Sequence, residues 1–407
     1  MNEVVSKSRW VAGRIRTTLE GYQAFFPAPL PLSLSYPEAT VRRLTDATAA
    51  IHRLAGASRL LPTPEFLIGS YVRLEAVLSS RIEGTMTTVG QLLEFQAGDA
   101  EPTGDMREVV NYIEALGHAV GRLNDLPLSN RLIREAHGVL MHGVRGEYAR
   151  PGEFRTTQNW IGAPGSTLVT ARFVPPPARE AVEAMGHLEV FLHDRRLPDL
   201  VAVGLAHYQF ETIHPFADGN GRIGRLLVIL MLIERGILAR PTLYLSAYFE
   251  RNRSRYYELL DHTRRSSDVF PWLDFFLEGV QTMAREAEER SVRLTDLQRE
   301  LRTQLLESRG TPTAVRLVER LLDTPYVTVS AVARQLGVSF PTAQRAIEGL
   351  IMAGVLTEVT GGRRNRVYLS KKVFDIVYGV IGGVAASQDD QTAATTGTVL
   401  NPVGDPE

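Results

Sequence analysis

The sequence predicts an all-α protein: a helical core broken by a short β-hairpin, followed by a small C-terminal α+β domain. Three observations carry this expectation. Apolar residues recur near the 3.6-residue period through much of residues 37–307. The period is lost between Gly146 and Pro177, where Gly, Pro, Thr and aromatic residues take over. After Gly310 and Pro312 a compact helix, helix, turn, helix, hairpin pattern follows over residues 312–378.

In chain order, Phe26-Pro27-Ala28-Pro29-Leu30-Pro31 marks an extended arm that must pack on something else. A helix is expected from Pro37 to about Ser58, ended by Pro62. A second opens at Pro64, a favoured first-turn position, and runs over Glu65–Glu83 with Phe66, Tyr71, Leu74, Leu78 and Ile82 on one face. Gly84 is a suitable residue to end it. Helices are expected over 106–125 and over 129–143, the latter capped by Ser129. A short hairpin would pair Asn159–Ile161 with Phe173–Pro175. Helices resume at Ala178–His193, Leu200–Thr212 and Arg222 to about Arg235, with two or three more in 246–307.

The bulk properties narrow the chemistry. Forty-five Lys and Arg against 46 Asp and Glu give a net charge of −1, so no overall field attracts nucleic acid or a membrane. The absence of cysteine excludes disulfides, thiolate metal sites and a cysteine nucleophile, and fits a cytoplasmic location. Met1–Trp10 has no apolar core of a secretory signal, and the longest apolar run, Leu226–Ile233, is too short to span a membrane. No membrane partner is expected.

The most informative segment is His214-Pro215-Phe216-Ala217-Asp218-Gly219-Asn220-Gly221-Arg222-Ile223-Gly224-Arg225. An apolar helix leads into it and another leaves it, so the loop sits at a helix N-terminus. Unpaired backbone N–H groups and the positive end of the dipole favour an anion there. Gly219 and Gly221 allow unusual dihedrals and a close backbone approach. Arg222 and Arg225, three apart, leave one side of the first turn and suit a polyphosphate. Asp218 is a hard oxygen ligand for Mg²⁺, and His214 a base near neutral pH. An isolated Asp-Gly-Asn-Gly is usually only a turn; the full string assembles the parts of phosphoryl or nucleotidyl transfer.

At every fixed position the string resembles the Fic signature, H-x-F-x-D/E-G-N-G-R-x-x-R. Gly152-Glu153-Phe154-Arg155, with Asn159, Trp160, Ile161, Gly162 and Phe173-Val174-Pro175-Pro176, resembles that family's target-docking flap. Leu245-Ser246-Ala247-Tyr248-Phe249, with Asn252, Arg253, Tyr256 and Tyr257, resembles its adenine-pocket segment. The resemblance spans roughly residues 5–300. It implies an all-α Fic core that transfers AMP from ATP to a protein Tyr, Thr or Ser hydroxyl, autocatalytically as well, releasing pyrophosphate. His214 would be the base and Asp218 the Mg²⁺ (or Mn²⁺) ligand. Gly219, Asn220 and Gly221 would line the anion hole, Arg222 would hold phosphates and Arg225 the γ-phosphate. The flap, through Asn159, Trp160, Ile161, Phe173 and Val174, would pair with the target by strand addition. Another nucleotide donor remains open.

Ser79-Ser80-Arg81-Ile82-Glu83-Gly84 closes the second predicted helix. Glu83 falls where the helix dipole disfavours an anion, although a solvated glutamate at a helix end is common and Arg81 could offset it. The segment matches the Fic inhibitory pattern, [S/T]-x-x-x-E-[G/N]. By that resemblance Ser79 and Glu83 belong to an inhibitory helix whose glutamate withdraws Arg225 from the γ-phosphate. The same glutamate supports AMP removal in some members.

In residues 310–372, nine Lys or Arg outnumber four Asp or Glu, making the segment locally basic at +5. A helix to Leu336, a turn at Gly337-Val338-Ser339, a helix over Pro341–Ala353 and a hairpin of Val355–Val359 with Arg366–Leu369 resemble a winged helix-turn-helix. Thr342, Gln344 and Arg345 would face a DNA groove, and Arg363, Arg364 and Arg366 the phosphates. The alternative is a winged helix used for protein contact or homodimerisation. The expected organisation is an arm and inhibitory helix (1–105), a Fic catalytic domain (106–308), a winged helix (309–378) and a disordered tail (379–407), the tail poor in apolar residues. A DNA-binding regulator whose Fic core senses nucleotide is the competing class.

Overall fold

The computed structural model describes residues 10–60, 64–98, 101–144, 150–163, 165–307, 310–361 and 366–379. The predicted arm is in part a hairpin. Strands β1 (Gly13–Thr17) and β2 (Gln23–Pro27) pair antiparallel from Gly13↔Pro27 to Thr17↔Gln23. The sequence concealed it because β2, Gln-Ala-Phe-Phe-Pro, lacks the two-residue alternation, burying Ala24 and Phe25 side by side. Pro27 ends the ladder, where a missing N–H is tolerated.

Helices α1 (Glu38–Leu60) and α2 (Pro64–Ile82) follow as expected. Helix α3 (Val89–Ala97) was not anticipated, although its capping box is legible: Thr88 Oγ1 accepts from Gln91 N at 3.2 Å, and Gln91 Oε1 from Thr88 N at 2.9 Å. Then come α4 (Gly104–Arg122) and α5 (Asn130–Leu140), with Ser129 capping α5 through Leu132 N.

The expected hairpin at 159–175 is reduced to one antiparallel bridge, Ile161↔Phe173, with N–H···O distances of 2.8 and 3.0 Å. Pro175, Pro176 and Pro177 have no N–H to extend it, and the Val174 carbonyl accepts from Phe25 N of β2 at 2.9 Å.

Helices α6 (Ala178–Leu192), α7 (Asp199–Ile213) and α8 (Asn220–Glu234) build the centre. Every residue of α7 from Leu200 to Ile213 is buried, as a helix apolar on all sides must be. Some of its buried polar groups are paired. His207 Nδ1 donates to the Gly224 carbonyl at 2.9 Å, so Nε2 accepts from the Tyr256 hydroxyl at 2.8 Å. That ring, stacked beside Phe249, Tyr256 and Trp272, ties α7 to α8, α9 (Ser246–Arg251), α10 (Arg253–Ser266) and the long α11 (Phe270–Glu307). Helix α1 packs along α11.

The C-terminal elements are α12 (Pro312–Leu321), β3 (Tyr326–Thr328), α13 (Val329–Leu336), α14 (Phe340–Met352), β4 (Thr357–Glu358), β5 (Val367–Leu369) and α15 (Lys371–Tyr378). Their sheet is antiparallel in the order β3-β5-β4. The helix, turn, helix and hairpin lie where the sequence placed them. Arg363, Arg364 and the tail from residue 380 lie outside the described residues.

Candidate active site

The site forms where α7 ends and α8 begins. His214 caps α7 in the left-handed region (φ 51°, ψ 60°), its N–H bonded to Phe210 O at 2.9 Å. A side chain rarely adopts this conformation, and neighbouring bonds hold it. Arg155 Nε donates to His214 O at 2.9 Å, and Arg155 N to Pro215 O at 2.9 Å. Arg155 also donates to the carbonyls of Thr157 and Pro176. Thus one buried arginine fixes both the loop and the flap. Burial, then the charges of Arg155 and Arg264, hold the His214 imidazole well below the ordinary histidine range. It is therefore neutral at neutral pH, and its Nδ1 has no partner among the described residues.

Asn220 makes the turn rigid: its Oδ1 accepts from Phe216 N and its Nδ2 donates to Phe216 O, each at 2.8 Å. Gly219, at φ 75°, occupies a conformation that suits glycine. Gly221 is helical, and its role is space rather than dihedral freedom. A Cβ there would stand 2.2 Å from Glu83 Oε1. Asp218 is exposed, and its Oδ1 accepts from Gly219 N at 2.6 Å.

His137 on α5 was not singled out by the sequence, where a lone helical histidine carries no signal. Its Nδ1 accepts from Gly152 N at 2.9 Å, which leaves Nε2 to donate to Asp218 O at 3.1 Å. Its ring stacks on Phe216 with centroids 3.7 Å apart. The Asp218 carbonyl and the start of the flap thus share one buried, neutral imidazole.

Both motif arginines are already engaged. Arg225 donates from Nε to Ser79 Oγ at 2.8 Å and from Nη2 to Ser79 O at 2.9 Å and Glu83 Oε1 at 2.6 Å. Burial alone would push the Glu83 carboxyl up; the Arg225 guanidinium outweighs it and holds the carboxyl below the usual range. Glu83 lies one residue beyond α2 rather than in its last turn, and Arg81 faces Glu250 at 3.9 Å instead of offsetting Glu83. Arg222 is buried against Glu108 of α4, its Nη1 2.8 Å from Oε2. No sequence pattern pointed to Glu108.

The adenine-pocket expectation needs correction. Tyr256 is fully buried with its hydroxyl on His207, so it forms core behind the site rather than a wall facing a ligand. The Asn252 side-chain amide bonds Tyr248 O at 2.9 Å. Tyr257 is half-buried and close enough to Glu83 and Arg225 for their charges to act on its hydroxyl. In the flap, Asn159 Nδ2 donates to Phe216 O at 2.9 Å, while Trp160 is exposed with its Nε1 on Ser166 O. Ile161 and Phe173 form the bridge, and Val174 is tied to β2.

This combination of a His-led loop at a helix N-terminus, two buried arginines and a flap defines the class. Residues 41–121 match the Fic/DOC family N-terminal model and residues 127–232 match the Fic/DOC family model, and the chain carries a domain of that family. It is 27% identical over 241 residues to the Protein adenylyltransferase Fic of Drosophila sechellia, and 28% over 241 residues to that of Drosophila grimshawi. Each match covers 57% of this chain, but only 44% and 45% of those relatives' length. A Fic family protein from Desulfovibrio desulfuricans shares the fold, with a TM-score of 0.53 at 20% identity over 83% of this chain and 97% of that one.

Proposed function

We propose that the chain is a protein adenylyltransferase held at rest by its own Glu83. The observation that carries the reading is the capture of Arg225 by Ser79 and Glu83, immediately beside the His214 loop. The names of the Drosophila relatives support the same activity.

In the active state Arg225, freed from Glu83, takes the terminal phosphate of ATP, and the N–H groups at the start of α8 face the polyphosphate. The neutral His214 accepts the proton of a target Tyr, Thr or Ser hydroxyl. That oxygen bonds to the α-phosphorus, and pyrophosphate leaves. Arg222, pinned by Glu108, offers a fixed charge. Asp218 is the residue that would hold Mg²⁺; no cluster of three or more protein ligands exists among the described residues, so phosphate oxygens and water would complete its shell. Bound there, the ion would neutralise phosphate charge. The flap orients the target backbone.

Glu83→Gly should raise auto-modification from labelled ATP by ten-fold or more, a scale set by one part-buried charge-assisted contact of ~1.5–3 kcal/mol. Adding His214→Ala should abolish it. No rise in a folded, ATP-binding Glu83→Gly protein would overturn the brake. The mass added in mixed nucleotides names the donor, and incubation with AMP-modified protein separates transfer from removal.

A second reading, DNA binding through the C-terminal elements as a winged helix, is favoured by the exposed Gln344 and Arg345 on α14. Arg366 also faces Glu358 at 3.6 Å, which lowers its worth as a phosphate contact.

A further inference from the structure

The flap has a neighbour that its resemblance does not call for. The hairpin β1–β2 is stitched to it by Phe25 N→Val174 O at 2.9 Å, and Phe25 lies against Phe173 with ring centroids 5.9 Å apart. Between hairpin and flap runs an open cleft of about 710 Å³. Among the described residues its lining holds four arginines, Arg14, Arg172, Arg264 and Arg265, and a single carboxylate, Asp261. Three positive charges therefore remain in excess.

Asp261 is a shared anchor. It pairs with Arg264 at 3.0 Å, with Arg172 at 2.5 Å and with Arg265 at 3.7 Å. One carboxylate cannot neutralise three guanidiniums, and it holds them on one wall. Arg264 is buried and links the cleft to the reaction centre. Its guanidinium lies over the Phe173 ring at 3.9 Å, and it bonds Thr212 Oγ1 and Glu211 O, just before His214. Arg265 and Arg14 are exposed, and the side chain of Arg172 is about half-exposed, available to an incoming anion. Val169 and Ile15 project into solvent beside them.

From this geometry we infer that the cleft selects the target: it receives an extended, carboxylate-rich segment of the substrate protein adjoining the hydroxyl presented at His214. The inference rests on the adenylyltransferase reading for what happens to that hydroxyl. The recognition itself rests on charge. A segment lying along the flap carries its flanking residues between β1 and residues 168–174. Carboxylates there meet three under-neutralised guanidiniums, and apolar residues meet Val169 and Ile15. Lysine-rich flanks meet like charge, which selects against them.

The test uses the full chain and fluorescent acceptor peptides of one sequence, each with a central Tyr flanked by Glu, Gln or Lys. Binding is read by anisotropy, so it does not depend on turnover. The Glu-flanked peptide should bind about ten-fold more tightly than the Gln-flanked one at low salt, with the advantage shrinking as salt rises. Arg14→Glu with Arg265→Glu, both exposed and outside the nucleotide loop, should remove or invert the preference while leaving ATP binding by the Glu83→Gly chain unchanged. Equal binding of the three peptides, or a preference that survives charge reversal, overturns the inference. Failure of the Glu83→Gly chain to transfer label to any acceptor overturns the adenylyltransferase reading and leaves the binding result to decide the cleft.

Discussion

Glu211 stands three residues before His214 with a carboxyl oxygen that has no hydrogen-bond partner among the described residues. Burial pushes this carboxyl up to about 7, against the opposing pull of Arg225. In the unfolded chain it titrates near ~4.3. Between those values the folded protein binds more protons than the unfolded one, so stability falls as pH rises through that window and then levels off. Glu211→Gln should flatten this slope and be more stable than the parent by ~1–3 kcal/mol at about pH 8, with little difference at about pH 4. Urea denaturation at the two pH values measures it; an identical pH profile in both proteins would refute it. Glu83 behaves oppositely. Its carboxyl is held low, so the contact with Arg225 contributes fully above the unfolded value and is lost only as pH falls through the depressed folded one. Mild acid does not break this contact.

Helix α2 is held through its middle and just beyond its end. In its central turns, Arg73 donates to Asp323 Oδ1 at 2.9 Å and Asp323 O at 3.0 Å, and Ser70 Oγ donates to Asp323 O at 3.3 Å. Just past its end, Glu83 reaches Arg225. Midway, Tyr71 donates to Ala287 O, and the buried Glu75 accepts from Ser246 N. The helix that leads into Glu83 is therefore clamped by the α12–β3 turn. Asp323→Ala should destabilise the protein by ~1–3 kcal/mol, since it leaves a mostly buried guanidinium without its carboxylate. It should also speed amide exchange in α2. Unchanged exchange there would show that the clamp does not restrain the helix. The helices of this region were legible because their apolar period is long and regular. The clamp was not, because residues 73 and 323 are joined only by tertiary folding.

At the scale of the whole molecule, a net charge of −1 conceals uneven placement. The basic surplus of residues 310–372 includes Arg345, exposed on α14. If that surface meets duplex DNA at ~3–5 phosphates, a mobility shift should weaken with log salt at a slope of about −3 to −5, and Arg345→Ala should reduce the slope by about 1. No retardation at low salt would assign the C-terminal elements to protein contact. Among the described residues no helix is long and apolar enough to cross a membrane.

The sequence by itself determined the helical core and the His214–Arg225 loop, while the pairing of Glu83 with Arg225 was implied by the resemblance of Ser79–Gly84 to the Fic inhibitory pattern. Each depends on short-range pattern: a 3.6-residue period, glycines at a helix start, or a motif whose residues keep fixed spacing. Tertiary structure alone decided the rest. It placed Tyr256 in the core, gave Arg222 to Glu108, and joined flap to loop through His137 and Arg155. It also laid an unpredicted hairpin beside the flap, where Arg172, Arg264 and Arg265 share one aspartate and Arg14 lines the same cleft. Most of those partners are distant in the chain, and the charge of a site depends on which side chains folding brings together.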